Sequence, residues 1–203
     1  DRGLECYRSE MEIAPLKDRP MLLIHAAQAQ ARLGRESQGL ESLEEARKIL
    51  HSLGDRHGEA SALLQRGQLQ RHAGRREEAR KSFEEALRLH EELRDPEGAA
   101  RLRLSLGSLA ATGEPERGLR EIQGAVAELK KLGDEEGAGA AHRVIARLHD
   151  RLGRWPEARA AARRVLETRR LQGRGLGEEE TLASRDDARE MADLGVRSCL
   201  RML

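Results

Sequence analysis

Aromatic side chains are almost missing: Tyr7, Phe83 and Trp155 are the only three in 203 residues. β-branched residues are scarce as well, with 5 Ile, 4 Val and 3 Thr. That leaves too little sheet-forming material for a sandwich, a barrel or a doubly wound sheet. The two cysteines, Cys6 and Cys199, stand near opposite ends of the chain and offer no disulfide scaffold. No apolar run approaches the roughly 18 residues that a membrane span needs. The 37 basic and 36 acidic residues nearly cancel, to a net +1, so no global field points to nucleic acid or an anionic membrane surface. The opening residues are too charged for a signal peptide and carry no initiator Met, which suggests a fragment of a longer chain in a reducing, cytoplasmic setting.

What is abundant is helical. Ala (28), Leu (31), Glu (27) and Arg (32) together supply 118 of the residues, and all four favour the helix. Apolar residues make up 38%, enough for a core. With so few aromatics it must be built from Leu and Ala, which suits thin layers of closely approaching helices.

Self-similarity is the strongest signal. A turn pattern recurs as ARLGRESQGL, RHAGRREEAR, AATGEPERGL and DRLGRWPEAR, with Gly34, Gly74, Gly113 and Gly153 spaced 40, 39 and 40 residues apart. A second pattern falls midway, as LGDRHGEA from Leu53, LRDPEGAA from Leu93 and LGDEEGAG from Leu132. Between the two, apolar residues follow helical spacing, as in Leu63, Leu64, Gly67 and in Ala79, Phe83, Ala86, Leu87. Each period is therefore a helix pair. Glycine just past a helix supplies a left-handed cap, and Asp55, Asp95 and Asp134 are placed to cap the helix that follows. Pro96, Pro115 and Pro156 fall in first turns, where a missing N–H costs nothing.

The pattern resembles the tetratricopeptide repeat family, whose helix pairs carry a small residue midway along the first helix, Gly at the turn, Ala early in the second helix, a bulky residue one turn later, and another Ala. The second repeat matches with Gly67, Gly74, Ala79, Phe83 and Ala86. The others offer Ala27, Gly34, Gly39, Leu43, Ala46; Gly107, Gly113, Gly118, Ile122, Ala125; and Ala146, Gly153, Ala158, Ala162, Val165. The family's usual period is about 34 residues, so these helices are longer, as in members such as kinesin light chain. The resemblance implies an all-α, right-handed α-solenoid of stacked antiparallel helix pairs. Its expected parts are residues 1–14 as the second helix of a truncated preceding repeat, repeats over 19–53, 56–93, 96–132 and 135–172, and 173–203 as a Gly-rich linker with a capping helix or partial repeat.

In this family the first helix of each pair lines a concave groove that receives a peptide. Carried across, its groove positions are Met21, Ile24, Gln28 and Ala31, then Ser61, Leu64, Gln68 and Arg71. The third repeat gives Arg101, Leu104, Ser108 and Ala111, with a one-residue deletion before Gly113 that disturbs the later positions, and the fourth gives Ala140, Arg143, Arg147 and Asp150. The early positions are apolar or neutral; the later ones gather Arg71, Arg101, Arg143 and Arg147. Arginine's planar fork grips carboxylates, so the expected partner is a protein or peptide with an acidic portion.

Catalytic and metal signatures are lacking. No phosphate-binding glycine motif follows a strand, and no nucleophile elbow occurs. His142 and His149 lie seven apart without a third ligand, and read as surface or layer-edge residues. His51, His57, His72 and His90 fall near helix ends, where a cation suits the C-terminus. The expectation is a non-enzymatic adaptor or scaffold, without cofactor, metal, small-molecule substrate or membrane contact, and open to self-association through an exposed end. A sensor arm of a larger signalling ATPase, transcription regulator or peptide receptor is the alternative. RNA binding is disfavoured by the near-zero charge and the lack of stacking aromatics. The acidic run Glu180, Asp186, Asp187 and Glu190 could cap the stack or compete for the basic groove.

Overall fold

A computed structural model describes residues 13–172; the proposed N-terminal half-repeat, the Gly-rich segment, the acidic helix and both cysteines lie outside them. Eight helices and no strands occur among the described residues: α1 (Arg19–Arg32), α2 (Glu36–Ser52), α3 (Arg56–His72), α4 (Arg76–Glu92), α5 (Pro96–Ala110), α6 (Pro115–Lys131), α7 (Glu135–Arg151) and α8 (Trp155–Gln172). None is long and apolar enough to cross a membrane. Two compact units, Asp1–Leu102 and Arg103–Leu203, divide the chain within α5.

Connections of three residues join every successive pair except α5 and α6, short enough to make neighbours antiparallel. Each three-residue turn closes with a hydrogen bond from its last residue, three past the helix, back to a carbonyl near the helix end: Arg35 to Gln30, Asp55 to Leu50, Arg75 to Gln70, Asp95 to His90, Asp134 to Leu129 and Arg154 to His149, at 2.8–2.9 Å. This bond requires a left-handed residue just before its donor. Gly34, Gly54, Gly74, Gly133 and Gly153 supply it, with φ between 71° and 77°, while Arg94 takes it at 54°. The α5–α6 turn closes differently, with Glu114 N–H reaching Ala110, and α5 is the shortest helix after α1 at 15 residues. That is the structural form of the one-residue deletion before Gly113. The aspartate caps are also formed: Asp55, Asp95 and Asp134 accept from the N–H of Gly58, Gly98 and Gly137 at 2.8, 2.9 and 2.8 Å.

In the first unit, α1 packs on α2, α2 on α3 and α3 on α4. Small residues set these distances: a Cβ on Gly67 would lie 2.5 Å from the ring of Phe83, which is wholly buried. A polar bridge recurs inside the first two pairs, Ser42 Oγ donating to Gln30 at 3.0 Å and the buried Ser82 Oγ to Gln70 at 2.7 Å. Glu59 is a buried carboxylate under Arg47, Arg56 and His51, at 3.3, 2.8 and 3.2 Å. Burial pushes its pKa up, but the His51 hydrogen bond and the Arg56 charge outweigh that and hold it below the usual range.

The second unit packs α6 on α7 and α7 on α8. Its core is Leu119, Ile122 and Val126 of α6, Ala141, Ile145, Ala146 and Leu148 of α7, and Ala161, Ala162 and Val165 of α8, with Ala111 beside them. His142 and His149, read from sequence as surface or layer-edge residues, are instead interior, at 3% and 7% exposure. Both belong to α7, most of whose residues are buried, among them Ala138, Gly139, Ala141 and Ala146.

Candidate functional site

The first helices of the first two pairs, α1 and α3, flank a cleft of about 520 Å³. Its floor is the buried trio Ala27, Leu43 and Leu69, one from each of α1, α2 and α3. Helical periodicity explains the trio, because each is the core-facing residue of its own amphipathic stripe. The walls carry Gln28 and Arg32 from α1 and Gln65, Gln68 and His72 from α3. Gln28 Nε2 donates to Gln65 Oε1 across the cleft at 3.5 Å, a long and easily exchanged bond. An amide offers both donors and acceptors, so this lining can bond a peptide main chain in either direction while the floor takes an apolar side chain.

Of the candidate residues in the first unit, Gln28 and Gln68 meet in this cleft. Ile24 and Ala31 pack against its floor. Leu64 is half-buried and does not line it, and Met21 is exposed. Arg71 is half-buried and makes no ion pair among the described residues, whereas the exposed Arg101 is paired with Glu97 at 2.9 Å. In the second unit, Leu104 packs partly buried against the core, Arg143 is half-buried and Arg147 is exposed. Ala111, assigned to the groove from sequence, is buried against Gly118. The deletion in α5 has turned it into the core.

Gln65, Arg32 and His72 were missed by the family pattern. A compositional signal was available: five of the chain's eight glutamines, Gln28, Gln30, Gln65, Gln68 and Gln70, sit on α1 and α3. A second hollow, of about 600 Å³, lies between α2 and α3 and is lined by Glu41, Glu44, Glu45, Lys48 and Arg66. Two of these charges are paired with each other, Arg66 reaching Glu44 at 2.9 Å. The hydrogen bond from Arg47, against the opposing effect of burial, holds the Glu44 carboxyl below its ordinary range.

Comparison with known proteins agrees with this architecture. Residues 18–92 and 143–171 each match the tetratricopeptide repeat, together just over half of the chain. No curated protein sequence matches it. Among solved structures, the signal transduction ATPase with numerous domains from Pyrococcus horikoshii, which has a tetratricopeptide repeat sensor, superposes with a TM-score of 0.69 at 17% identity. The match covers 96% of this chain and 29% of the ATPase. BtubC from P. vanneervenii gives 0.69 at 16% identity, covering 99% of this chain and 88% of that one. A kinesin light chain with nearly identical TPR-like repeats from Podosopora anserina gives 0.59 at 16%, covering 94% and 98%. At such identities the likeness is one of fold, a fold that typically binds proteins and is seldom catalytic. With its all-helical pairs, its glycine turns and its two matched segments, the chain belongs to the tetratricopeptide repeat family.

Proposed function

We propose that the chain is a non-enzymatic, cytoplasmic adaptor whose cleft between α1 and α3 receives an extended segment of a partner protein. The observation that carries this reading is the amide-lined cleft over an apolar floor, Gln28, Gln65 and Gln68 above Ala27, Leu43 and Leu69. An apolar side chain of the partner seats on the floor and its main chain bonds the amides. Acidic residues of the partner engage Arg71 and Arg101 of the first unit; in the second unit, taken by itself, Arg143 and Arg147 are the equivalent candidates for an acidic segment. Each exposed charge pair adds at most about 1 kcal/mol, and more only where the partner excludes water, so binding is modest in strength and weakened by salt.

Selection of peptides from a displayed library on the full chain tests the reading. Gln28→Ala with Gln68→Ala truncates two cleft walls without touching the floor, and should weaken a selected peptide roughly tenfold, the loss of one to two hydrogen bonds. Arg143→Glu with Arg147→Glu should weaken the acidic peptides alone. Wild-type affinity in the first double variant removes the cleft; wild-type affinity for acidic peptides in the second removes the basic portion.

A second reading is favoured by the fold shared with the sensor of the archaeal ATPase, of which the chain spans 29%. Here the repeats are the regulatory arm of a larger switch, and the segment they hold belongs to their own polypeptide. The test is the flanking coding sequence: a nucleotide-binding domain in frame beside these repeats would support this reading, and its absence would remove it.

A further inference from the structure

The repeats provide internal controls, because equivalent turns join α2 to α3, α4 to α5 and α6 to α7. Aligned on their capping aspartates, Asp55, Asp95 and Asp134, the three turns agree closely except in the middle one. Five residues before the aspartate stand Leu50 and Leu129 in the outer turns, both buried, and His90 in the middle turn. Each fills the same slot: Leu50 lies over Gly58, Leu129 over Gly137, and the His90 ring over Gly98. One residue before the aspartate stand Gly54 and Gly133, while the middle turn has Arg94, the one non-glycine with a positive φ among the described residues, at 54°. A residue with a Cβ is strained there.

The His90 substitution brings together chemistry that the sister turns lack. His90 Nδ1 lies 2.8 Å from Asp95 Oδ2. Asp95 Oδ1 accepts the Gly98 N–H at 2.9 Å, which fixes the plane of the carboxylate. A second imidazole, His57 of α3, meets the His90 ring at 64° with centroids 6.4 Å apart. In the other two turns the position of His57 is held by Glu97 and Glu136. One potential ligand atom from each of His57, His90 and Asp95 falls within 4.8 Å of the others. All three residues belong to the first unit.

We propose that His57, His90 and Asp95 form a binding site for one divalent transition-metal ion of the zinc class, linking the start of α3 to the junction of α4 and α5. Two imidazoles and one carboxylate suit zinc and its borderline neighbours and not calcium or magnesium, which prefer oxygen alone. Metal bonds of about 2.0–2.2 Å place tetrahedral ligand atoms about 3.3 Å apart. His90 and Asp95 must therefore part by about half an ångström, and His57, which is exposed, must swing inward. The fourth position is left to water. The Gly98 N–H is the outer support that orients the carboxylate toward the ion. Such an ion would tie three helices across a boundary between repeats, where nearest-neighbour contacts alone hold a stack together.

Calorimetric titration of the full chain with zinc chloride at neutral pH tests the site. His90→Leu installs the residue that the sister turns already carry, and His57→Gln removes an exposed imidazole without adding a carboxylate, so both variants fold. Asp95→Asn keeps the helix cap and removes the charge. Wild type should bind one zinc ion more than His57→Gln/His90→Leu, and each single variant should bind it roughly tenfold or more weakly, at least what loss of an outer support alone produces. Zinc should raise the melting midpoint of wild type, reversibly with EDTA, and leave that of His90→Leu unmoved. No zinc bound by wild type, or equal stoichiometry and affinity in wild type and the double variant, overturns the proposal.

Discussion

His142 stands eleven residues before Gly153, the place that Leu23, Leu63 and Leu102 hold before Gly34, Gly74 and Gly113. Those leucines are buried and so is His142, but its Nε2 finds no hydrogen-bond partner among the described residues. Burial first, then the charges of Lys130 and Arg164, lower its pKa from 6.5 to about 4. The unfolded chain therefore takes up the proton before the folded one does. Stability from this residue is complete above about pH 6.5 and falls by about 3 kcal/mol as the pH drops through the window to about 4. His142→Leu restores the repeat's own residue and removes that loss. Urea unfolding at neutral pH and at pH near 4 should show the variant losing about 3 kcal/mol less than wild type between the two. Equal losses would place the acid sensitivity elsewhere, for instance in the carboxylates that both proteins share.

The helices and turns were the most legible features, because their causes are local. Gly34, Gly74 and Gly153 had to take left-handed angles, and Asp55, Asp95 and Asp134 had to cap, whatever packed around them. Arg94 shows the limit of that local reasoning. Its angle is imposed by the closing bond from Asp95 N–H to the His90 carbonyl at 2.9 Å, and only register with Gly54 and Gly133 reveals it. Arg94→Gly should stabilise the chain by about 0.5–1 kcal/mol, the left-handed penalty less the added freedom of glycine when unfolded. Gly133→Ala should cost about 1 kcal/mol at the sister turn. Thermal melts in EDTA separate this effect from any bound ion, and a lower midpoint for Arg94→Gly would contradict the strain argument. The candidate cleft was half legible for a related reason. The family pattern marks one stripe along each first helix, which found Gln28 and Gln68. Cleft width depends on the approach of α1 to α3, which no single stripe encodes, so Gln65 and His72 did not emerge.

Over the whole chain, 37 basic and 36 acidic residues leave almost no net charge, and many pair along their own helices, as Arg80 does with Glu77 and Glu84 or Arg117 with Glu114 and Glu121. Exposed pairs of this kind hold the fold weakly, since water and salt compete for both partners. Stability rests instead on the buried Leu and Ala layers, which salt does not screen. Salt should therefore act very differently on folding and on binding. Raising sodium chloride tenfold from low ionic strength should move the melting midpoint by less than about 4 °C, the effect of roughly 1 kcal/mol in a domain of this size. The same change should markedly weaken an acidic peptide selected on the wild-type chain, because the proposed contacts between its carboxylates and arginine are exposed charge pairs that salt screens. Calorimetry and fluorescence titration in matched buffers read the two responses. A large fall in the melting midpoint would mean that the ion pairs carry the fold. Salt-indifferent binding would mean that the cleft recognises its guest through the amides and the apolar floor alone.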